Sequence, residues 1–324
     1  MKTAETLIIG AGLTGLMCAE FLRQRGIEST VIESESHNSP SPHLACLTME
    51  NELKLGEINN EIDLDRAKEY AENARQAILN FKKTVFREKI DCGYEETENI
   101  IYSARQSIER EKATLKLLSL PFHSSNSASP FGQRNSVCLP YACVFDMEKL
   151  FEYLKSNAKV DCCTTAKSIE GNIVYTDKGA YKCKNIIAAN HCTVSSNGKT
   201  HRNYICRMEN AKIANGIYTD EISGIKLISG KTKSYAVMSG EKCNNDFDEF
   251  EKTVKEYFPN CQADMIWCQN ASKTALVPQV KKIKGTSVIS CTGYDRLNCT
   301  DAVICAEKAA DMVSARYIDS LLGA

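Results

Sequence analysis

Residues 6–34 read "TLIIGAGLTGLMCAEFLRQRGIESTVIES", and this stretch decides the fold. An apolar run, Thr6 to Ile9, predicts a buried strand. Gly10 to Gly15 predicts a tight turn, Leu16 to Arg25 a helix ended by Gly26, and Ser29 to Glu33 a second strand. Each glycine answers a separate steric demand. Gly10 permits the turn out of the strand, Gly12 lets a pyrophosphate approach the backbone, and Gly15 lets helix and strand pack closely. The free N–H groups and positive dipole end of the helix then suit phosphates. Glu33 stands 21 residues beyond Gly12, the spacing at which a carboxylate accepts ribose hydroxyls. Strand, helix and acid in register predict a dinucleotide site, either nicotinamide or flavin.

The rest of the chain excludes several alternatives. Its 324 residues leave room for two domains, and 43% hydrophobic with 25% charged residues is ordinary for a globular protein. A net charge of −1 predicts neither a nucleic-acid partner nor a membrane surface. No run approaches the roughly 20 apolar residues of a spanning helix. The opening residues lead into Leu7-Ile8-Ile9 without an h-region or cleavage site, so the expected location is cytoplasmic. Sixteen cysteines are read as free, mostly buried thiols, because no C-x-x-C pair occurs and five histidines assemble no iron–sulfur pattern. No metal site is expected.

Further along, "SESHNSPSPHLACLT" (34–48) reads as an exposed loop or one wrapped around a ligand. Residues 64–88 predict a long amphipathic helix with Ala67, Tyr70, Ala74, Ile78 and Phe81 on one face. A second helix is predicted over 106–118, a capped one from Asp146, and antiparallel strands over 201–240. A helix over 245–257 stops at Pro259, and "TSVISC" with the helix from Thr300 closes the chain. The fold class is α/β, a Rossmann-like dinucleotide-binding domain with an inserted mixed α+β substrate domain containing an antiparallel sheet. The expected division gives 1–60, 140–200 and 280–324 to the cofactor domain, and 61–139 and 201–279 to the substrate or cap domain.

The C-terminal "TSVISCTGYDRLNCTDAVICAEKAADMV" is strand, glycine turn and helix. Such an element can aim a helix N-terminus at a ring that carries negative charge, which favours a flavin, although a helix merely packed on the sheet gives the same pattern. The opening motif, "PYACVFDMEKLFEYL" (140–154), "NIIAANHC" (185–192) and "CTGYDRLNCTDA" (291–302) occur in the order found in FAD-dependent oxidoreductases. The chain resembles the D-amino-acid oxidase and glycine oxidase superfamily, most of all the branch often fused to a Rieske domain, although no Rieske motif is present here.

That resemblance implies FAD as cofactor and a set of site residues. Gly10, Ala11, Gly12, Leu13, Thr14 and Gly15 would hold the pyrophosphate, and Glu33 with Ser34 the adenosine ribose. Ala45, Cys46 and Thr48 would cover the flavin, backbone near Lys167 would meet the adenine, and Ala189 with Asn190 would close the nucleotide's other side. Gly293, Arg296, Leu297, Asn298, Cys299 and Thr300 would cradle the pyrimidine edge, with Asp295 and Asn298 standing where the family pattern has glycines. The implied reaction takes hydride from the C–H beside an amine, in a small amine or amino acid, to flavin N5. No catalytic dyad is expected, and Tyr294, Arg296 and Trp267 are the candidates for facing substrate, while His191 reads as structural. Electrons would leave to oxygen or to a separate acceptor protein. Reduction of a C=C bond, or FAD binding without turnover, are the competing readings.

Overall fold

The structure, a computed structural model, describes residues 1–36, 44–50, 52–124, 129–132, 134–189, 200–209, 213–259, 262–272, 275–293 and 298–322. The chain opens as read: β1 (Lys2–Ile9), α1 (Leu13–Gln24) and β2 (Ser29–Ile32). β1 ends in four buried residues, and α1 presents Leu16, Met17, Ala19, Phe21 and Leu22 to the core. Gly26, at φ 73°, closes α1 by letting Ile27 N–H reach back to Leu22 O at 3.0 Å. Helix α1 starts two residues before Gly15, which therefore lies within its first turn rather than ahead of it.

Next come β3 (Leu44–Thr48), α2 (Lys54–Glu61), α3 (Leu64–Arg87), β4 (Glu95–Ser103) and α4 (Ser107–Leu117). All five residues of β3 are buried, so the loop expected over 34–48 ends in a strand. Its run Leu44-Ala45-Cys46-Leu47 is covered on both faces and shows no alternation to mark it in the sequence. Residues 37–43 lie outside the described residues. Asp63 caps α3 by accepting Arg66 N–H at 2.7 Å, and the predicted stripe, extended by Ala71, Ala77 and Val85, is buried.

The remaining elements are β5 (Asn135–Asp146), α5 (Met147–Asn157), β6 (Lys159–Asp161), β7 (Ala166–Glu170), β8 (Ile173–Thr176) and β9 (Gly179–Ala188), then β10 (Thr200–Glu209) and β11 (Gly216–Asp220). After them come β12 (Lys226–Ser229), β13 (Ser234–Ser239), α6 (Phe247–Tyr257), β14 (Gln262–Ser272), β15 (Gln279–Lys282), β16 (Val288–Thr292) and α7 (Cys299–Leu322). Two sheets result. The first runs β15-β16-β9-β1-β2-β6, with the β7–β8 hairpin added to β9, and its β16, β9, β1, β2 and β6 are mutually parallel. The second runs β14-β10-β13-β12-β11-β4-β5-β3 and is antiparallel except where β11 lies beside β4. Strand β3 and residues 140–146 of β5, inside segments expected for the cofactor domain, pair in this second sheet. Sheet membership follows hydrogen-bond partners, which local sequence does not display.

One apolar core joins α1, α3, α5 and α7 to β3 and β5, where Phe81 and Phe145 lie 4.8 Å apart between ring centroids. A separate core packs α6, through Phe250 and Val254, on the second sheet. Among the described residues no helix is long and apolar enough to cross a membrane.

Candidate cofactor and substrate site

The glycine loop sits where the first sheet's parallel strands end, the place at which open α/β sheets bind ligands. Gly10 takes φ 104°, a conformation that favours glycine. A Cβ on Gly15 would stand 1.9 Å from Gly10 O, so helix and turn touch backbone to backbone there. A Cβ on Gly12, by contrast, would meet nothing within 4 Å. Gly12 is the N-cap of α1, offers no capping side chain, and no acid occupies the first turn. The first N–H groups of α1 and the positive end of its dipole therefore face a surface suited to an anion.

Glu33 closes this corner. Its carboxylate accepts Ala11 N–H at 2.8 Å and the Ser34 hydroxyl at 3.0 Å, which fixes the acid beside the glycine turn. Ala189 joins them by donating its N–H to Ile9 O at 2.9 Å, at the end of β9 next to β1. The structure thus brings Gly10 to Gly15, Glu33, Ser34 and Ala189 to one place. These residues fit a dinucleotide: an open glycine, a helix start without a capping side chain, and a carboxylate just beyond the end of β2. Lys167 is exposed on β7; three residues earlier, Thr164 ties this segment to the corner by donating its N–H to Glu33 O at 2.7 Å. Asn190 and His191 lie outside the described residues.

A second group assembles from opposite ends of the sequence. Thr48 N–H donates to Thr300 Oγ1 at 2.9 Å, and Thr300 Oγ1 donates to Thr48 O at 3.0 Å. Beside this pair, Ala45 and Cys46 of β3 and Gly293, Asn298 and Cys299 line one wall of an open cleft. Asn298 is turned onto its own helix, its Oδ1 accepting Asp301 N–H at 3.1 Å. Tyr294, Asp295, Arg296 and Leu297 lie outside the described residues, as does the side chain of Trp267, whose backbone on β14 pairs with Ile205 of β10.

The opposite wall is the second sheet: Asn203 from β10, Lys226 and Ile228 from β12, Val237 and Ser239 from β13, and Lys242 just beyond. Lys226 and Lys242 stand here beside apolar Ile228 and Val237, with Glu241 next to Lys242, so the wall carries both charge signs on an apolar floor. Glu52 and Lys54 form the cleft's third side. Glu52 and Leu53 both take left-handed backbone, φ 60° and 59°. The Glu50 carboxylate holds this turn, accepting Lys54 N–H, and Leu55 N–H at 3.0 Å.

Behind the wall lies a buried polar network that sequence reading missed. Lys54 Nζ reaches Asp301 Oδ2 at 2.7 Å, Tyr70 donates its hydroxyl to Asp301 Oδ1 at 2.9 Å, and the ammonium stands 4.3 Å from the Tyr70 ring centroid. Burial, with the Asp301 charge second, pushes the Tyr70 hydroxyl well above its usual range. Asp301 sits in the first turn of α7, and Lys54 balances its charge where it would otherwise stand buried and alone. A little deeper, Glu111 accepts Gly56 N–H at 2.6 Å through Oε2, while its buried Oε1 has no ordinary donor and faces Glu50. Burial raises both carboxyl groups, and for Glu111 the Glu50 charge adds to it, so this pair holds a proton. The only sequence signal for the network was Asp301 next to Thr300, since α2 carried no clear periodicity.

Comparison with known proteins agrees with this geometry. The FAD binding domain family matches residues 3–109, which bears out FAD as the cofactor that the resemblance implies. A Bacillus subtilis (strain 168) chain that bears the name Rieske 2Fe-2S iron-sulfur protein YhfW is 30% identical over 105 residues. That match takes in 32% of this chain and 21% of the other, so the likeness spans about a fifth of the curated relative's length. L-amino acid deaminase from Proteus vulgaris with its specific insertion sequence deleted superposes with a TM-score of 0.76 at 14% identity, over 97% of this chain and 90% of that one. L-proline dehydrogenase from P. horikoshii gives 0.73 at 15%, over 97% and 94%. Glycine oxidase from Bacillus cereus ATCC 14579 gives 0.71 at 15%, over 97% and 95%. At these identities the structures establish a shared fold, the Rossmann-like α/β architecture with its second sheet.

Proposed function

We propose, from an FAD-binding domain over residues 3–109 on a fold shared with L-amino acid deaminase and glycine oxidase, that this chain is an FAD-dependent oxidoreductase of small amino acids. The observation that carries the reading is the cleft between the β3–α7 junction and the lysine-bearing second sheet. When bound, the flavin supplies the electron sink for hydride leaving the carbon beside the substrate's amine.

The chain's own residues do the rest. Gly12 and the start of α1 bind the pyrophosphate, and Glu33 with Ser34 takes the ribose hydroxyls. The Thr48–Thr300 bonds hold β3 and α7 together as the seat of the ring, with Ala45, Cys46, Gly293 and Cys299 around it. Lys226 and Lys242 fix the substrate's carboxylate, Ile228 and Val237 exclude water beside it, and alignment rather than proton transfer is what the wall contributes. Lys242 offers a partner to an amino acid's carboxylate, while Glu52, Glu57 and Glu241 in the same cleft offer partners to its ammonium.

In this reading segments 1–60, 140–200 and 280–324 serve the cofactor and segments 61–139 and 201–279 the substrate, with β3 seating the ring although it pairs in the second sheet. The 13 cysteines whose side chains are described are free and 11 of them are buried, which supports a reducing, cytoplasmic setting. Electrons would then pass to oxygen or to an acceptor protein.

The test is spectroscopic. Purified protein should be yellow, with absorbance near ~450 nm, and should bleach anaerobically with one or more L- or D-amino acids. Bleaching by reduced nicotinamide alone would replace amine oxidation with another reductase chemistry. A flavin that nothing reduces would leave a binding protein.

A further inference from the structure

We infer that Glu98, His123 and Cys138 form a binding site for one divalent transition-metal ion of zinc's class, on the second sheet beside the β4–β5 pairing. None of the three lines the cofactor cleft. His123 and Cys138 form an isolated antiparallel bridge, in which His123 N–H donates to Cys138 O at 3.0 Å and Cys138 N–H to His123 O at 2.7 Å. Directly paired residues project to one face, so imidazole and thiol emerge side by side. On its other flank Cys138 pairs with Ile100, and Glu98 lies two residues before Ile100, on the same face and diagonal to the thiol. The register between β4 and β5 shifts between Thr97 and Asn99, where β5 carries one residue more than β4 and Tyr141 takes φ 63°, so Glu98 stands opposite the bulge rather than in it.

The ligand atoms lie within 4.8 Å of one another, and Glu98 Oε1 is 3.9 Å from His123 Nε2. That is too long for a hydrogen bond and leaves the carboxylate and imidazole facing one another beside the thiol. Bonds of about 2.0–2.3 Å to N, O and S place tetrahedral ligands roughly 3.3–3.7 Å apart, so a contraction of at most about 1.5 Å suffices. Glu98 and His123 are more than half exposed and free to make it, whereas Cys138 is buried and fixed. Carboxylate, imidazole and thiolate are each zinc ligands, and three of them leave one position for water. Without a cation, burial and the Glu98 charge hold the thiol protonated, its pKa pushed up to about 12. Bound metal would displace that proton and tie the segment carrying His123 to β5.

The experiment uses the whole chain with Cys162→Ser and Cys163→Ser, because that exposed vicinal pair would also take zinc. After incubation with zinc and dialysis, one ion per chain should remain, and His123→Ala should weaken its retention by more than about tenfold. Cobalt(II) in its place should give a thiolate charge-transfer band and visible bands beyond the flavin's absorption, both lost in Cys138→Ser. No stoichiometric zinc in the parent, or equal retention in His123→Ala, overturns the site. His123 is exposed, so that variant remains decisive if Cys138→Ser fails to fold.

Discussion

Thr48 and Thr300, 252 residues apart in the chain, exchange two hydrogen bonds: the Thr48 N–H donates to the Thr300 hydroxyl, which in turn donates to the Thr48 carbonyl. A single buried side chain therefore satisfies both backbone groups of a residue in the second sheet from the first turn of the C-terminal helix. Thr300→Val keeps the shape and strips both bonds, leaving two buried polar groups at about 1–3 kcal/mol each. The expected outcome is a lower urea midpoint and faster flavin loss on gel filtration, with Thr300→Ser close to the parent in both.

Gly12 and Gly15 separate folding from cofactor binding. Ala at Gly12 meets open space, so Gly12→Ala should leave the stability of flavin-free protein within about 0.5 kcal/mol while weakening FAD binding. Ala at Gly15 meets Gly10 O at 1.9 Å, so Gly15→Ala should destabilise the flavin-free protein as well. Thermal melts with and without added FAD distinguish the two.

Lys54 and Asp301 are both buried, so removing one strands the other. Lys54→Met should cost about 3–5 kcal/mol in urea unfolding. Adding Asp301→Asn should recover most of that loss, because the second change removes the uncompensated charge.

The Glu50–Glu111 pair sets a pH dependence. Burial raises both carboxyl groups above the ordinary carboxylate value, so the native state keeps a proton that the unfolded chain has already released. The stabilisation is complete below the ordinary Glu value and is lost as pH rises through the raised native value. Melting temperature should thus fall as pH climbs above the usual carboxylate range. In Glu111→Gln, whose amide donates to Glu50 without a titrating proton, that part of the slope should vanish.

Lys242→Met tests the substrate wall. For an amino acid whose carboxylate it meets, KM should rise about tenfold, the worth of one charge-assisted hydrogen bond, with kcat little changed. Equal effects on an amine lacking the carboxylate would remove the lysine from that role.

Residues 6–34 by themselves determined the turn, the helix start and the acid of the glycine-loop corner, because these are local features at fixed intervals along one βαβ unit. Composition and periodicity likewise set the long helix over 64–87, whose buried stripe repeats at the helical period. Tertiary structure decided everything that depends on chain segments meeting at a distance. It placed Leu44–Thr48 in a buried strand against α7, set Lys54 and Tyr70 on Asp301, and joined Glu98, His123 and Cys138 across three backbone segments. Their sequence separations carry no period or motif. Only hydrogen-bond pairing in the second sheet, and the burial that forces opposite charges together, bring those side chains within reach of one another.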